Sequence, residues 1–175
     1  MIATSPASDN SAARVESFLN IVDRLADSLG LSVPPIFCLE ELRSLPSDTL
    51  GRSLVDFLEC HQLKPLDGGL RRKQLHDSVH VLTGYGVDSL GEAEVQAFLI
   101  GTKFNPGNLL IGLGLVRMIR RQRGQGVLTE SPAIVRERLH AAYRRGIRSS
   151  FDPDRWQPEL EWMLPLIEVR KAYDL

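Results

Sequence analysis

Two histidines and two carboxylates lie close together in the sequence, at His76, Asp77, His80 and Glu92. On a helix that turns about 100° per residue, Asp77 projects about 100° and His80 about 40° from His76. The three side chains therefore share one face, and the imidazoles lie one turn apart, close enough to bind the same metal ion. Nitrogen and oxygen ligands without a thiolate are typical of zinc, iron or manganese sites.

The residues after His80 predict how Glu92 joins this group. Gly84 and Gly86 end the helix, since glycine tolerates turn geometry. Asp88 or the serine after it can cap a new helix, which has Glu92 near its first turn. A chain reversal over this loop would bring Glu92 back beside His80. We therefore predict a divalent metal site, with zinc preferred and iron or manganese as alternatives, and with ligands His76, Asp77, His80 and Glu92.

The same residues have a simpler interpretation. Histidine and aspartate on a helix are commonly exposed polar side chains, and a pair of histidines four residues apart also occurs by chance. Leu75, Val79 and Leu82 fall on a separate stripe, between about 240° and 300°, that can face a core. The spacing alone leaves metal binding and ordinary surface polarity both open.

Apolar residues recur at helical spacing along most of the chain, and no alternating strand pattern and no internal repeat appear. The fold prediction is an all-α, single-domain bundle of about seven or eight helices, with the metal-ligand motif on a central helix. Residues 1–10 are predicted to be a flexible tail, and residues 11–175 the helical domain. Predicted helices cover Ser11–Leu29, residues 35–45, a segment capped by Ser47 or Asp48 up to His61, residues 70–83, residues 89–103, Asn108–Ile119, a segment opened by Ser131 and Pro132, and Trp156–Arg170 with a kink or split at Pro165.

Composition excludes several classes of protein. The chain has 175 residues, of which 43% are hydrophobic and 25% charged, which is typical of a globular domain. The net charge of −1 gives no general attraction to nucleic acid, and we expect no nucleic-acid partner. Cys38 and Cys60 lie within apolar helical patterns, so we expect buried free thiols in a reducing compartment.

The N-terminal segment MIATSPASDNSA is short and polar. It lacks the basic start and apolar run of a secretory signal and the arginine-rich character of a mitochondrial leader. No segment reaches the roughly 18–20 apolar residues needed to span a bilayer. We expect a bacterial cytoplasmic protein, with peripheral contact at the inner face of the membrane as a further expectation.

The most apolar segment is Asn108–Ile119, which contains Gly112 and Gly114. It has two interpretations: a central core helix whose glycines permit close packing, or a helix whose glycines leave a groove for a lipid tail. The stretch from Arg117 to Arg148 holds many arginines and few acids, so it either forms a solvated helix face or contacts anionic headgroups or a substrate anion.

The motif His76-Asp77-x-x-His80, eleven residues, then Glu92 resembles the signature of the coenzyme Q biosynthesis protein 4 family. The resemblance runs from about Ser44 to the C-terminal IEVRKAYDL and includes TLG at Thr49–Gly51 and LGE at Leu90–Glu92. It implies a mostly helical fold, a zinc-type site at the signature, binding of long isoprenoid lipids, and a role in C1 decarboxylation during ubiquinone assembly. We also expect other quinone-biosynthesis proteins as partners, and the sequence leaves a monomer and a homodimer both open.

Three functions are compatible with this resemblance and with the residues. The first is metal-dependent decarboxylation of a polyprenylated hydroxybenzoate, with a Lewis-acid ion stabilising charge as the carboxyl group leaves. The second is a non-catalytic isoprenoid-binding scaffold whose metal is structural. The third is a different metallohydrolase, of the HD-phosphohydrolase or metalloprotease type, whose motif spacings fit less well.

Candidate substrate or lipid contacts complete the predicted site. Lys73, near 60° and one turn before the ligands, can meet a substrate anion, although a solvated charge at a helix start is the simpler interpretation. Gly112, Gly114 and Arg117 are the predicted contacts for a polyprenylated quinone precursor or other isoprenoid lipid.

Overall fold

The computed structural model describes residues 32–66 and 68–175, and this part of the chain is helical. It contains eight α-helices and one short 3-10 helix at Pro158–Leu160, and no strand beyond two isolated bridges. The all-α prediction is therefore confirmed. The predicted tail and the predicted helix Ser11–Leu29 lie outside the described residues. The helices are α1 (Leu39–Arg43), α2 (Leu50–Cys60), α3 (Arg71–Gln74), α4 (His76–Thr83), α5 (Ser89–Thr102), α6 (Pro106–Gly124), α7 (Pro132–Arg148) and α8 (Leu166–Ala172).

Side-chain caps begin four of these helices. Asp88 accepts from two backbone amides of α5, and Ser131 accepts from the amide of Ile134 in α7, as the sequence predicted. The predicted cap of α2 is wrong: Thr49, not Ser47 or Asp48, accepts from the amide of Arg52. Asp48 lies in the turn before Thr49, and its carbonyl oxygen accepts from the amide of Leu166.

The predicted helix over residues 70–83 is interrupted at Leu75 and forms α3 and α4 instead. The buried side chain of Gln74 explains the break. Its amide nitrogen donates to the carbonyl oxygens of Val33 and Pro34, and its oxygen accepts from the amide of Ile36. This bend fastens the extended segment before α1 to the start of the ligand helix.

Helix α4 lies at the centre of the core, packed by α2, α5 and α8. Its predicted apolar stripe of Leu75, Val79 and Leu82 is buried, which confirms the orientation expected from the spacing. The core around it includes Leu54 of α2, Phe98 of α5 and Val169 of α8. The metal-ligand motif therefore sits on a central helix.

Helices α5 and α7 cross so closely that neither has room for a Cβ atom at the contact. A Cβ added at Gly101 would overlap the carbonyl oxygen of Tyr143, and one added at Gly146 would overlap that of Phe98. Beside the crossing, Arg138 donates two hydrogen bonds to Glu94, at 2.8 and 2.5 Å. This ion pair and the two glycines fix α5, the helix that carries Glu92.

The interpretation of Asn108–Ile119 as a central core helix is wrong. Helix α6 buries Ile119 among the described residues, whereas Leu110 is 72% and Leu113 59% exposed. Gly112 faces Gln96 of α5, so the helix packs on α5 by one side only. Hydropathy favoured burial because it registers composition and not which neighbours are available.

Two smaller predictions are confirmed only in part. Cys38 and Cys60 are free thiols, as expected, but both are exposed, because each lies at the end of a short helix and not on its inward face. The segment Trp156–Arg170 is split at Pro165, as the sequence allowed: before it lies only the 3-10 helix Pro158–Leu160, and α8 begins after it. Pro165 lacks an amide donor, and its own segment pairs with Thr49 as an isolated bridge. No helix in the described ranges is long and apolar enough to cross a bilayer.

Replacement of Gly146 by Ala should lower the stability of the protein by about 1–3 kcal/mol, the usual cost of overpacking a tight contact. Gly114→Ala is the matched control, because nothing lies within 4 Å of a Cβ at that position. Removing a helical glycine there should raise stability by up to about 1 kcal/mol. Urea unfolding midpoints measure both changes, and equal effects of the two substitutions would contradict the packing described for α5 and α7.

Candidate metal centre

The turn between α4 and α5 brings the candidate ligands together. Helix α4 ends at Gly84, whose φ of 78° is left-handed and favours glycine. Gly91 lacks a Cβ, which lets the backbone of Gly86 lie directly against the first turn of α5. The chain thus reverses over residues 84–88 and places Glu92 opposite the two histidines.

His76, His80 and Glu92 form one compact group. Their ligand atoms all lie within 4.8 Å of one another. Glu92 Oε1 is 3.2 Å from Nε2 of His80, and Glu92 Oε2 is 3.4 Å from Nε2 of His76. The structure therefore brings together three of the four side chains that the sequence assigned to the metal.

Hydrogen bonding fixes which nitrogen of His80 is available. Nδ1 lies 3.1 Å from the carbonyl oxygen of Tyr85, which can only accept, so Nδ1 must carry the hydrogen. In the neutral ring Nε2 then carries a lone pair. This nitrogen is buried and has no hydrogen-bond partner among the described residues. It faces a carboxylate oxygen, so two electron-rich atoms meet unless a cation or proton lies between them.

A metal ion would satisfy this arrangement without a charged imidazole. His80 is 1% exposed, and a charged imidazole buried to that extent carries a desolvation cost. Around a tetrahedral ion with bond lengths of about 2.0–2.2 Å, neighbouring ligand atoms lie about 3.3–3.6 Å apart. Glu92 approaches the two histidines with different oxygens, at 3.2 and 3.4 Å, close to that spacing, and the group as a whole spans up to 4.8 Å, so a bound ion would draw the ligand atoms closer together. Three protein ligands leave a further position for water or substrate.

Asp77 occupies a different place from the other three. Its Oδ1 lies 3.5 Å from Nδ1 of His76, on the side of that ring away from Glu92. A carboxylate beside the second nitrogen of a metal-binding histidine orients the ring and raises its basicity. Asp77 as a direct fourth ligand stays a prediction, and the geometry favours this orienting role.

The histidines and carboxylates of the group shift one another's pKa values. Burial alone would lower the pKa of His76, but its contacts with Asp77 and Glu92 raise that pKa from 6.5 to about 9. Burial would raise the pKa of Glu92, but its contacts with His76 and then His80 lower that pKa from 4.5 to about 2. At neutral pH the group contains a carboxylate and a proton on His76 that a metal ion would displace.

The remaining predicted contacts lie elsewhere. Lys73 is on α3, partly buried and one turn before His76. Gly112 packs against α5, whereas Gly114 and Arg117 are exposed on α6. None of these four residues belongs to the three-residue group.

A cavity of about 420 Å³ adjoins His80 on the side of α2. Phe57 stacks on the His80 ring with centroids 5.6 Å apart, and the imidazole of His61 contacts the Phe57 ring. Sequence reasoning missed this cavity, because its walls come from α2, α4, the loop after α4 and the start of α8. Phe57 at helical spacing reads as a core residue, and only its place beside a ligand histidine marks it as part of the site.

Two arginines near the site were also missed. Arg145 donates to the carbonyl oxygen of Thr83, and Arg170 donates to those of Val81 and Leu82. Burial, and then the nearby charge of Arg145, lower the pKa of Arg170. The sequence placed Arg145 in an arginine-rich stretch, but Arg138 of that stretch donates to the buried Glu94 of α5 and Arg145 donates to α4. The open carbonyls at the C-terminus of α4 were the signal that could have found such partners.

Replacement of His80 by Ala should remove the bound metal. The wild-type protein is expected to retain about one equivalent of zinc after exchange into metal-free buffer, and the variant none, because Nε2 of His80 is the deepest ligand atom. His140→Ala, which removes an exposed imidazole on α7, is the control and should keep the metal. Elemental analysis of the purified proteins measures this, and equal zinc in all three would rule out the assigned ligands.

The metal-free protein should lose stability as the pH rises from about 6.5 to 9. The pKa of His76 is higher in the folded state, at about 9, than its ordinary value of 6.5. Its contribution is therefore fully present below 6.5 and is lost as the pH rises through 9. Denaturant unfolding in a chelator should show this decline in the wild type and a flatter profile in His76→Gln. An equally steep decline in the variant would assign it to other groups.

Comparisons with known proteins bear on the fold. No family model and no curated protein matches the chain. Among solved structures, the chain is similar to a protein from Nostoc punctiforme whose name proposes a part in ubiquinone biosynthesis. The TM-score is 0.63 at 20% sequence identity, over 81% of this chain and 69% of that one. At this identity the likeness shows that the two chains share a fold.

Proposed function

We propose that the protein acts in ubiquinone assembly, in the metal-dependent C1 decarboxylation of a polyprenylated hydroxybenzoate. The observation that carries this proposal is the buried lone pair of His80 facing Glu92 beside His76. The sequence signature of the coenzyme Q biosynthesis protein 4 family supports it at these same residues. The fold shared with the Nostoc punctiforme protein supports the quinone assignment in general terms.

Each residue of the site has a separate role in the proposed reaction, either binding the metal or orienting a ligand. His76, His80 and Glu92 would hold a divalent ion, zinc first and iron or manganese next. When bound, such an ion supplies a Lewis acid for negative charge on a carboxylate or phenolate. Asp77 holds the ring of His76, and the Tyr85 carbonyl holds the ring of His80, so both Nε2 atoms stay directed at the same point.

The cavity beside His80 suits the aromatic head of such a substrate. Its volume of about 420 Å³ falls within the range of small-molecule sites, and its lining includes Phe57, Tyr85 and Leu166. The aromatic residues can pack against a benzoate ring. The imidazole of His61, at the same cavity, can donate a hydrogen bond to an anionic group.

Decarboxylation should be detected as release of labelled CO₂ from a short-chain prenylated hydroxybenzoate carrying the label in its carboxyl group. We expect turnover in the metal-loaded wild type and in His140→Ala, and none in His80→Ala. Phe57→Ala should raise KM more than it lowers kcat, because Phe57 lines the cavity without contributing a metal ligand. Undiminished turnover in a metal-free variant would refute the proposal.

A second candidate function is a non-catalytic isoprenoid-binding scaffold with a structural metal. The exposed apolar face of α6 favours it, because Leu110 and Leu113 offer surface for a lipid and occupy no place in the core. This candidate predicts co-purified isoprenoid without product, and unfolding of the protein by a chelator. The decarboxylation assay and a melting curve in chelator separate the two functions.

Helix α6 also supports peripheral contact with a membrane. Leu110, Leu113 and Arg117 follow one another at spacings of three and four residues, so they share an exposed face. Apolar side chains followed by arginines suit the boundary between acyl chains and anionic headgroups.

The protein should float with vesicles that contain anionic lipid. Leu110→Glu together with Leu113→Glu should abolish the association, and Arg117→Gln should weaken it and reduce its sensitivity to salt. Ile134→Glu, on the exposed side of α7, is the control. Binding that is equal for neutral and anionic vesicles and is unaffected by salt would exclude the arginine contribution.

A further inference from the structure

The ligand helix α4 ends with four carbonyl groups that have no partner within the helix, as every α-helix does. These belong to the last four residues, His80 to Thr83. The amide of Gly84 donates to the His80 carbonyl at 2.7 Å. The other three carbonyls accept from arginine side chains of two distant helices, so side chains complete three of the four positions at this end of the helix.

Arg170 of α8 donates to the carbonyls of Val81 and Leu82, at 2.9 and 3.0 Å. Arg145 of α7 donates to the carbonyl of Thr83 at 2.6 Å. A positive charge at this end also interacts favourably with the negative end of the helix dipole. The two arginines together fix the position of α4 along its own axis.

Arg145 makes one further contact that Arg170 does not share. Its guanidinium lies over the Tyr85 ring, 5.5 Å from the centroid, within the range of a cation–π interaction. Tyr85 is the residue whose carbonyl oxygen accepts from Nδ1 of His80. A continuous series of contacts therefore leads from Arg145, through Tyr85, to the ring of His80.

We infer that Arg145 is a positioning residue of the metal centre. It holds Thr83 by a hydrogen bond and Tyr85 by its ring, and so keeps the Tyr85 carbonyl where it selects the Nδ1–H form of His80. That form leaves Nε2 free to bind the metal. The expected effect on metal affinity rests on the proposed metal centre, whereas the effect on the Nδ1–H form of His80 concerns the protein without metal.

Neighbouring arginines of α7 provide the comparison. Arg144 and Arg148 lie on the same turns of the helix, and both are exposed, whereas Arg145 is partly buried. Arg144 shares the charge and the helix position of Arg145 but not its contacts with Thr83 and Tyr85. An effect that depends on general positive charge would appear in both variants.

The test compares Arg145→Ala, Arg145→Lys and Arg144→Ala in the full-length protein. Zinc affinity is measured by competition with a chromophoric chelator, and the protonated nitrogen of His80 is identified by ¹⁵N NMR in the chelated protein. Arg145→Ala should bind zinc about 10–100-fold more weakly, the range seen when partners of metal-binding histidines are removed. It should also show loss of the uniform Nδ1–H signal. Arg144→Ala should match the wild type in both measurements.

Arg145→Lys keeps the charge near Tyr85 but loses the planar group that reaches both partners. It should fold and show a smaller loss of zinc affinity than the alanine variant. If the alanine variant does not fold, the lysine variant alone tests the inference. Wild-type zinc affinity and an unchanged His80 signal in the folded Arg145 variants would overturn the inference. Absence of zinc binding in the wild type would instead remove the proposed metal centre, while the NMR signal would still report on Arg145.

Discussion

The site depends on one close contact, between Nε2 of His80 and the carboxylate of Glu92. Nε2 of His80 and Oε1 of Glu92 lie 3.2 Å apart with the histidine almost fully buried, and in the neutral ring the Nδ1–H bond to Tyr85 leaves a lone pair on the facing nitrogen. Such a contact is unfavourable in a low-dielectric interior unless a positive charge occupies it. In the protein alone the proton on His76 places a positive charge beside the other oxygen of Glu92, and a divalent ion would add charge at the contact itself.

Holding this contact requires rigid surroundings. The apolar stripe of α4 is buried in the core, and Glu92 is carried by α5, which crosses α7 without intervening side chains at Gly101 and Gly146. The loop between α4 and α5 is short and presses against Gly91. Each ligand thus stands on an element whose position is set by packing that does not involve the ligands themselves, as a preorganised site requires.

How much of this the sequence could predict depends on the range of the interactions. The grouping of His76, His80 and Glu92 followed from helical spacing and a glycine turn, both of which act over a few residues. The break at Leu75 did not, because it depends on hydrogen bonds from Gln74 to residues about forty positions earlier. Arg145 reaches Thr83 across 62 positions, and no local pattern records such a contact.

Helix α6 shows a different limit. Its apolar composition correctly predicted a helix but not its surroundings, since burial depends on what the rest of the fold places against each face. Gly112 meets α5 while Leu110 and Leu113 face outward. The apolar residues that predict a core helix are therefore the same residues that could contact a lipid or a membrane.

The way α4 is anchored also bears on whether the metal is structural or catalytic. A structural metal commonly supplies the folding energy of a small unit, with four protein ligands closing its sphere. Here α4 is already held by its buried stripe and by three arginine-to-carbonyl hydrogen bonds at its end, none of which involves a metal ligand side chain. The described group offers three ligands and leaves a position open. A site that is fixed in advance and incompletely filled suits the binding of a substrate better than the joining of two helices, and this favours the enzymatic proposal over the scaffold.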